Sequence, residues 1–117
     1  MKTDLKEVKK VWGYEEILVN NDKYCSKKLH LNKGYICSYH FHPIKQETFI
    51  PLEGEVWMTV KGVEFLLTEP YTINPNTPHS FYGVTDAVIL EVSTPHSDDD
   101  VVRLNESKRV DKKVQLV

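Results

Sequence analysis

Apolar and polar residues alternate in short runs along most of this chain, and turn-forming residues separate the runs. The runs are YEEILV (14–19), YCSKKLHL (24–31), YICSYHFH (35–42), ETFIPLEG (47–54), EVWMTVKG (55–62), VEFLLT (63–68), YTINP (71–75), HSFYG (79–83) and AVILEVST (87–94). Asn20-Asn21-Asp22, Asn32-Lys33-Gly34, Lys61-Gly62, Glu69-Pro70, the stretch from Asn74 to Pro78 and Thr85-Asp86 supply the breaks. Many short runs rich in β-branched and aromatic residues at regular turn spacing predict an all-β sandwich or barrel. No segment before residue 97 keeps a helical period for three turns. The core of the barrel is expected over residues 24–94. Residues 1–11 form a charged lead-in whose LKEVKKV is weakly helical, and which is expected to be flexible or packed at an edge. Residues 95–117 form a charged C-terminal extension that adds a short strand or helix, or frays.

Composition narrows the class without changing it. A chain of 117 residues predicts a single domain with one hydrophobic core. Hydrophobic residues make up 40% and charged residues 27%, as in folded rather than disordered proteins. A formal net charge of -2 argues against a nucleic-acid partner. No apolar run reaches the length of a membrane span, and MKTDLKEVKKVWG lacks the apolar centre of a signal peptide, so the cytoplasm is the expected location. Cys25 and Cys37 are too few for a zinc-finger pattern and are expected to be buried free thiols.

Candidate chemistry concentrates in GYICSYHFHPIKQETFIPLEG, residues 34–54. His40 and His42 are two apart, and side chains alternate across a strand, so both imidazoles face one side. Glu47 follows across a turn opened by Pro43. Two nitrogen donors on one face with a nearby carboxylate form a set that a divalent transition metal accepts.

The spacing G-x5-H-x-H-x4-E-x6-G, filled by Gly34, His40, His42, Glu47 and Gly54, resembles the first motif of the cupin superfamily. His79, after NPNTP and before SFYG, falls at the histidine of the second cupin motif, G-x5-P-x-G-x2-H-x3-N. There Thr68, Asn74, Asn76 and Gly83 replace the first glycine, the proline, the second glycine and the asparagine. Asn76 is compatible with the lost glycine because asparagine enters the left-handed region readily. The resemblance implies a double-stranded β-helix, or jelly-roll barrel, with His40, His42, Glu47 and His79 holding a divalent metal ion. Nitrogen and oxygen donors without thiolate suit Zn, Mn, Fe, Ni or Co. His30 and His96 have no ligand spacing and read as non-ligands.

Two flanking segments are similar to the cupin domain of type II mannose-6-phosphate isomerases. KKVWGYEEILVNNDKYCSKKLHLNKG matches that family's opening WG and its y-x-x-K-x-L-x-x-x-x-G strand, and EVSTPHSDDDVVRLNES matches its closing E-V strand, acidic loop and D-x-V-R-L. The resemblance implies a sugar or sugar-phosphate isomerase acting through a metal-stabilised enediolate, with one base serving two neighbouring carbons. Lys28 and His30, which share one strand face, and Glu91, a carboxylate in the apolar run AVILEV, are the candidate bases. Arg103 is the candidate clamp for a phosphate or carboxylate. By parity Phe49 and Phe81 share the sides of Glu47 and His79 and are the candidate pocket walls. A homodimer is expected, with strand edges covered. The alternative readings are an Fe-dependent dioxygenase or other small-molecule metalloenzyme, and a non-catalytic, metal-stabilised sugar-binding module.

Overall fold

The computed structural model describes residues 1–110 and is all-β, with no helix among the described residues. The strands are β1 (Lys6–Lys10), β2 (Gly13–Asn20), β3 (Cys25–Leu31), β4 (Tyr35–Ile36), β5 (His40–Phe41), β6 (Glu47–Glu53), β7 (Val56–Val60), β8 (Val63–Leu66), β9 (Tyr71–Ile73), β10 (His79–Gly83), β11 (Ala87–Ser93), β12 (Val102–Arg103) and β13 (Lys108–Arg109). One sheet runs β1-β2-β3-β11-β6-β9. The other runs β12-β5-β10-β4-β13, with β7 bonded to the far side of β10 and β8 to β7. Every pairing is antiparallel, and together the two sheets form the expected jelly-roll barrel. No helix of the described residues is long and apolar enough to cross a membrane.

Strict alternation explains the strands. In β3, Cys25, Lys27, Leu29 and Leu31 are buried while Ser26, Lys28 and His30 are half-buried; β7 and β11 alternate in the same way. The inward residues Leu29, Leu31, Phe49, Met58, Ile73, Phe81 and Ile89 join Trp12 in the core between the sheets. Trp12 meets Phe81 edge-on at 5.2 Å, a geometry in which the ring's positive edge faces the other's negative face. Burying each such side chain contributes about 1.5–3 kcal/mol.

One expectation changes, the unbroken run 35–42, and at the two ends the structure selects among the alternatives, an edge-packed strand for the lead-in and strands for the extension. The weakly helical lead-in is strand: β1 pairs with β2 from Lys6↔Ile17 to Lys10↔Gly13. A short charged helix has no apolar stripe to bury, whereas the free edge of β2 offers a hydrogen-bonding partner at every second residue. The single run 35–42 splits into β4 and β5. Between them the Ser38 and Tyr39 amides donate to Ser107 Oγ (2.9 Å) and Asn105 Oδ1 (2.7 Å), so side chains from the C-terminal extension interrupt the ladder to β10. That extension therefore adds strands β12 and β13 against β5 and β4; its last residues, 111–117, lie outside the described residues.

Gly54 and Gly62 both occupy left-handed backbone, at φ 72° and 78°. A Cβ on Gly54 would lie 2.2 Å from the Asp86 carbonyl oxygen, whereas one on Gly62 would meet nothing within 4 Å. Gly62→Ala is therefore expected to lose about 1 kcal/mol from left-handed strain alone. Gly54→Ala should lose about 3 kcal/mol or more, because backbone must move as well. Urea unfolding of the two variants checks this, and equal losses would contradict the packing described.

Candidate functional site

Strand pairing assembles the site from two stretches of sequence, residues 40–47 and the distant His79. β5 sets His40 directly opposite His79 of β10. His42 continues along the chain on the face of His40, and Glu47 begins β6 in the opposing sheet. The two-apart spacing and the turn at Pro43 thus bring together the histidines and carboxylate singled out in the sequence. All four side chains are buried. One ring nitrogen from each of His40, His42 and His79 lies within 4.8 Å of the others.

Backbone carbonyls fix how these rings present themselves. Nδ1 of His40 contacts Ser38 O at 2.6 Å, that of His42 contacts Asp100 O at 2.7 Å, and that of His79 contacts Thr77 O at 2.8 Å. A carbonyl oxygen only accepts, so each Nδ1 carries the hydrogen and each neutral ring turns a bare Nε2 towards the others. Glu47 Oε2 lies 3.2 Å from His42 Nε2 and 3.0 Å from His79 Nε2. Those separations would suit a charge-assisted hydrogen bond, but Glu47 Oε2 and His79 Nε2 are buried without any hydrogen-bond partner. With the His79 hydrogen on Nδ1, both atoms are acceptors that face a common point. Buried acceptors in that arrangement are costly unless a cation joins them. Three imidazoles oriented by backbone carbonyls, with one carboxylate, fit a divalent metal ion and leave positions open for a substrate.

The electrostatics follow from burial. Desolvation lowers the pKa of His40 to about 3, with the neighbouring His79 adding to the effect, which keeps the ring neutral. Burial pushes the Glu47 carboxyl up, but in the metal-free protein a hydrogen lent from His42 or His79 Nε2, where a cation would otherwise sit, together with the Lys45 charge outweighs it and holds the group well below the ordinary carboxylate range.

A cavity of about 910 Å³ opens beside this quartet, and its lining includes Lys27, Lys45, Glu91, Phe49, Phe81 and Arg103. Glu91 points inward from β11 and is buried, as one of the sequence readings required. Burial and the nearby Glu47 raise its carboxyl, while Lys45 opposes the shift. Phe49 lies 5.9 Å from the His79 ring and Phe81 lies 6.1 Å from Phe49, so both wall the cavity beneath the histidines. Arg103 sits opposite His40 in the β12–β5 pairing, and its Nη1 donates to Ser38 Oγ at 2.8 Å.

Lys28 and His30 are corrected. Cys25, Leu29 and Leu31 mark the inner face of β3, and Lys28 and His30 lie on the other face. His30 stacks on Tyr14 at 4.2 Å and approaches Glu16 at 3.3 Å, away from the quartet. The lysine on the inner face is Lys27, fully buried, with Glu15 at 3.3 Å. Parity with the two leucines is the signal that identifies it.

Lys45 is the other missed residue. It is buried, with Nζ 3.2 Å from Glu91 Oε2 and 3.6 Å from Glu47 Oε1. Burial opposes its charge, but the two carboxylates prevail and raise its pKa. No strand alternation reaches Lys45, because it lies in the turn between β5 and β6. Asp100 holds that turn, accepting from the amides of Ile44 and Lys45 at 2.9 Å each. Cys25 and Cys37 are buried free thiols, as expected.

No protein-family model matches the chain. It is similar to a D-lyxose/D-mannose isomerase of Thermosediminibacter oceani, 33% identical, with 72% of this chain and 62% of the relative covered. It is also similar to a D-lyxose ketol-isomerase of Thermofilum sp., 34% identical, with 71% of this chain and 63% of the relative covered. The chain thus spans less than two thirds of the length of the curated relatives it matches. Among solved structures, KdgF from Halomonas sp. matches with a TM-score of 0.72 at 15% identity, covering 83% of this chain and 90% of that one. The capsular polysaccharide assembling protein CapF from Staphylococcus aureus matches with a TM-score of 0.77 at 17% identity, covering 89% of this chain and 32% of that one. These two likenesses are of fold.

The His40 shift gives the metal-free protein an acid-labile fold. A histidine with a folded pKa of about 3 and an unfolded value of about 6.5 favours the native state fully above the unfolded value. That contribution is lost as pH falls from about 6.5 towards 3, and the depressed Glu47 adds a loss in the same direction below about 4.5. Denaturant unfolding of metal-free protein at pH 7, 5 and 4 should show falling stability, with a shallower fall in His40→Asn. A flat profile would refute the burial of a neutral imidazole.

Proposed function

This chain is a cupin in fold, and on that premise we propose that it is a metal-dependent aldose–ketose isomerase acting on a small sugar. The observation that carries the reading is the meeting of His40, His42 and His79 around one point, with Glu47 beside them, next to a cavity that the buried Lys45–Glu91 pair lines. The similarity to proteins named as D-lyxose isomerases supports it and suggests a free aldose as substrate.

A divalent ion held by His40, His42, Glu47 and His79 would supply Lewis acidity to the substrate carbonyl and its neighbouring hydroxyl. The remaining work falls to this chain's own residues. Glu91 takes the proton from the carbon beside the carbonyl and returns it to the former carbonyl carbon. The C–H electron pair becomes the enediolate double bond as the carbonyl π pair moves onto its oxygen. The neighbouring hydroxyl proton then passes to that oxygen, the electrons of its O–H bond form the new carbonyl, and the double-bond pair takes the returned proton as the new C–H bond, so no oxidant is consumed. A base for this step works best with a pKa near the working pH, and the raised carboxyl of Glu91 moves in that direction. The Lys45 ammonium, held between the two carboxylates, donates to the substrate oxygen on which negative charge grows. Phe49 and Phe81 give the sugar an apolar wall, and Arg103 offers its unused N–H groups to a hydroxyl, or to a phosphate if the sugar carries one. We extend the proposal to a homodimer packed through the outer face of the six-stranded sheet, where Leu52 and Val92 are exposed beside Ile50 and Leu90.

Protein loaded with Mn, Co or Zn and incubated under argon with D-lyxose, D-mannose and mannose 6-phosphate should convert at least one to its ketose, followed chromatographically. Glu91→Gln should lower kcat by about 100-fold or more while metal content is unchanged. No ketose from any of the three would sink the isomerase reading. His40→Ala combined with His42→Ala should retain no divalent ion by elemental analysis, and full occupancy in that variant would refute the site.

A further inference from the structure

His96 follows β11 at the rim of the same cavity, and nothing in the ligand spacing or the proposed chemistry assigns it a task. Yet it is held from both sides. The Asn20 side chain accepts from the His96 amide at 3.0 Å and donates to the His96 carbonyl at 3.1 Å. The ring approaches Asp98 Oδ1 through Nε2 at 3.0 Å and Lys45 Nζ through Nδ1 at 3.3 Å.

The chemistry of the partners fixes the direction of each contact. A carboxylate accepts and an ammonium donates, so Nε2 carries the hydrogen and Nδ1 receives one from Lys45. Burial, aided by the charge of Lys27, lowers the pKa of His96, in keeping with a neutral ring that can accept. Lys45 then has two hydrogen-bond acceptors, Glu91 at 3.2 Å and His96 at 3.3 Å, with the Glu47 carboxylate an ion-pair neighbour at 3.6 Å, so one ammonium hydrogen is left for the cavity. A lysine stem has four rotatable bonds, and two carboxylates alone leave the ammonium free to swing between them. The uncharged His96 nitrogen fixes its rotation without drawing further on its charge.

We propose that His96, clamped by Asn20 and oriented by Asp98, is a positioning residue that aims the Lys45 ammonium into the cavity. Its effect on turnover rests on the isomerase reading above; its effect on Lys45 does not.

The test uses zinc-loaded protein labelled with nitrogen-15 lysine, with the Lys45 ammonium resonance assigned by its loss in Lys45→Met. A buried ammonium held by two hydrogen bonds and a neighbouring carboxylate should exchange slowly with water and give a sharp signal. His96→Leu should broaden or abolish that signal at unchanged zinc content. His96→Asn, whose side-chain oxygen can take the place of Nδ1, should keep it. Asp98→Ala alters a fully exposed carboxylate and so leaves the fold intact, and it should broaden the signal to a lesser degree. Kinetically, His96→Leu should lose about tenfold or more in kcat with KM changed far less, and His96→Asn should recover most of the loss. A sharp, unmoved Lys45 signal in His96→Leu overturns the proposal whatever happens to turnover. Wild-type protein that converts no aldose, while the Lys45 signal still depends on His96, refutes the isomerase reading and supports the positioning role.

Discussion

Three imidazole nitrogens and one ionised carboxylate, all buried and all acceptors, face one small volume between two sheets. Left alone, that arrangement is unfavourable, because desolvated lone pairs repel one another and have no water to turn to. It persists because each ring is tied by its other nitrogen to a backbone carbonyl, at Ser38, Thr77 and Asp100. Those carbonyls belong to the framework of the fold, so the rings cannot rotate to relieve the repulsion without breaking a buried hydrogen bond. The fold therefore stores a polarity that a cation would resolve, and the chemistry proposed here follows from that constraint.

The neighbouring charges are arranged around the same point. Lys45 and Lys27 are buried cations, yet each has a carboxylate within reach, Glu91 and Glu47 for the first and Glu15 for the second. An isolated lysine would be expected to give up its proton on burial. Paired, Lys45 keeps it and has its pKa raised. Such pairs add little net stability, since desolvation consumes most of the attraction. Their concentration around one cavity is better explained by the handling of protons and developing charge.

Asp100 joins the two halves of this arrangement. Its carbonyl orients His42 and its carboxylate holds the amides of Ile44 and Lys45, so one residue beyond the last long strand sets both a candidate metal ligand and the ammonium beside it. Ser107 and Asn105 do similar work at the break between β4 and β5, where they take the Ser38 and Tyr39 amides. The charged C-terminal extension, for which a short strand was one of the alternatives, is thus part of what supports His40, and Arg103 lies opposite it.

Alternation and turn chemistry in the sequence determined the strands between residues 13 and 93, apart from the break between β4 and β5, because a side-chain period of two is a local property of extended backbone. The same local logic put His40 and His42 on one face, and the motif spacing brought Glu47 and His79 to them. Which face of β3 points inward was also written there, in Cys25, Leu29 and Leu31, and it selects Lys27 over Lys28 and His30. Lys45 and His96 were not legible, since both lie in turns where no periodicity assigns a direction. Only the closing of two sheets over each other, with Asn20 reaching across the sequence to His96 and Asp100 to the turn before Glu47, decided that these residues meet Glu91. Contacts between distant segments depend on how sheets pack and loops close in three dimensions, and a one-dimensional pattern carries no such distance.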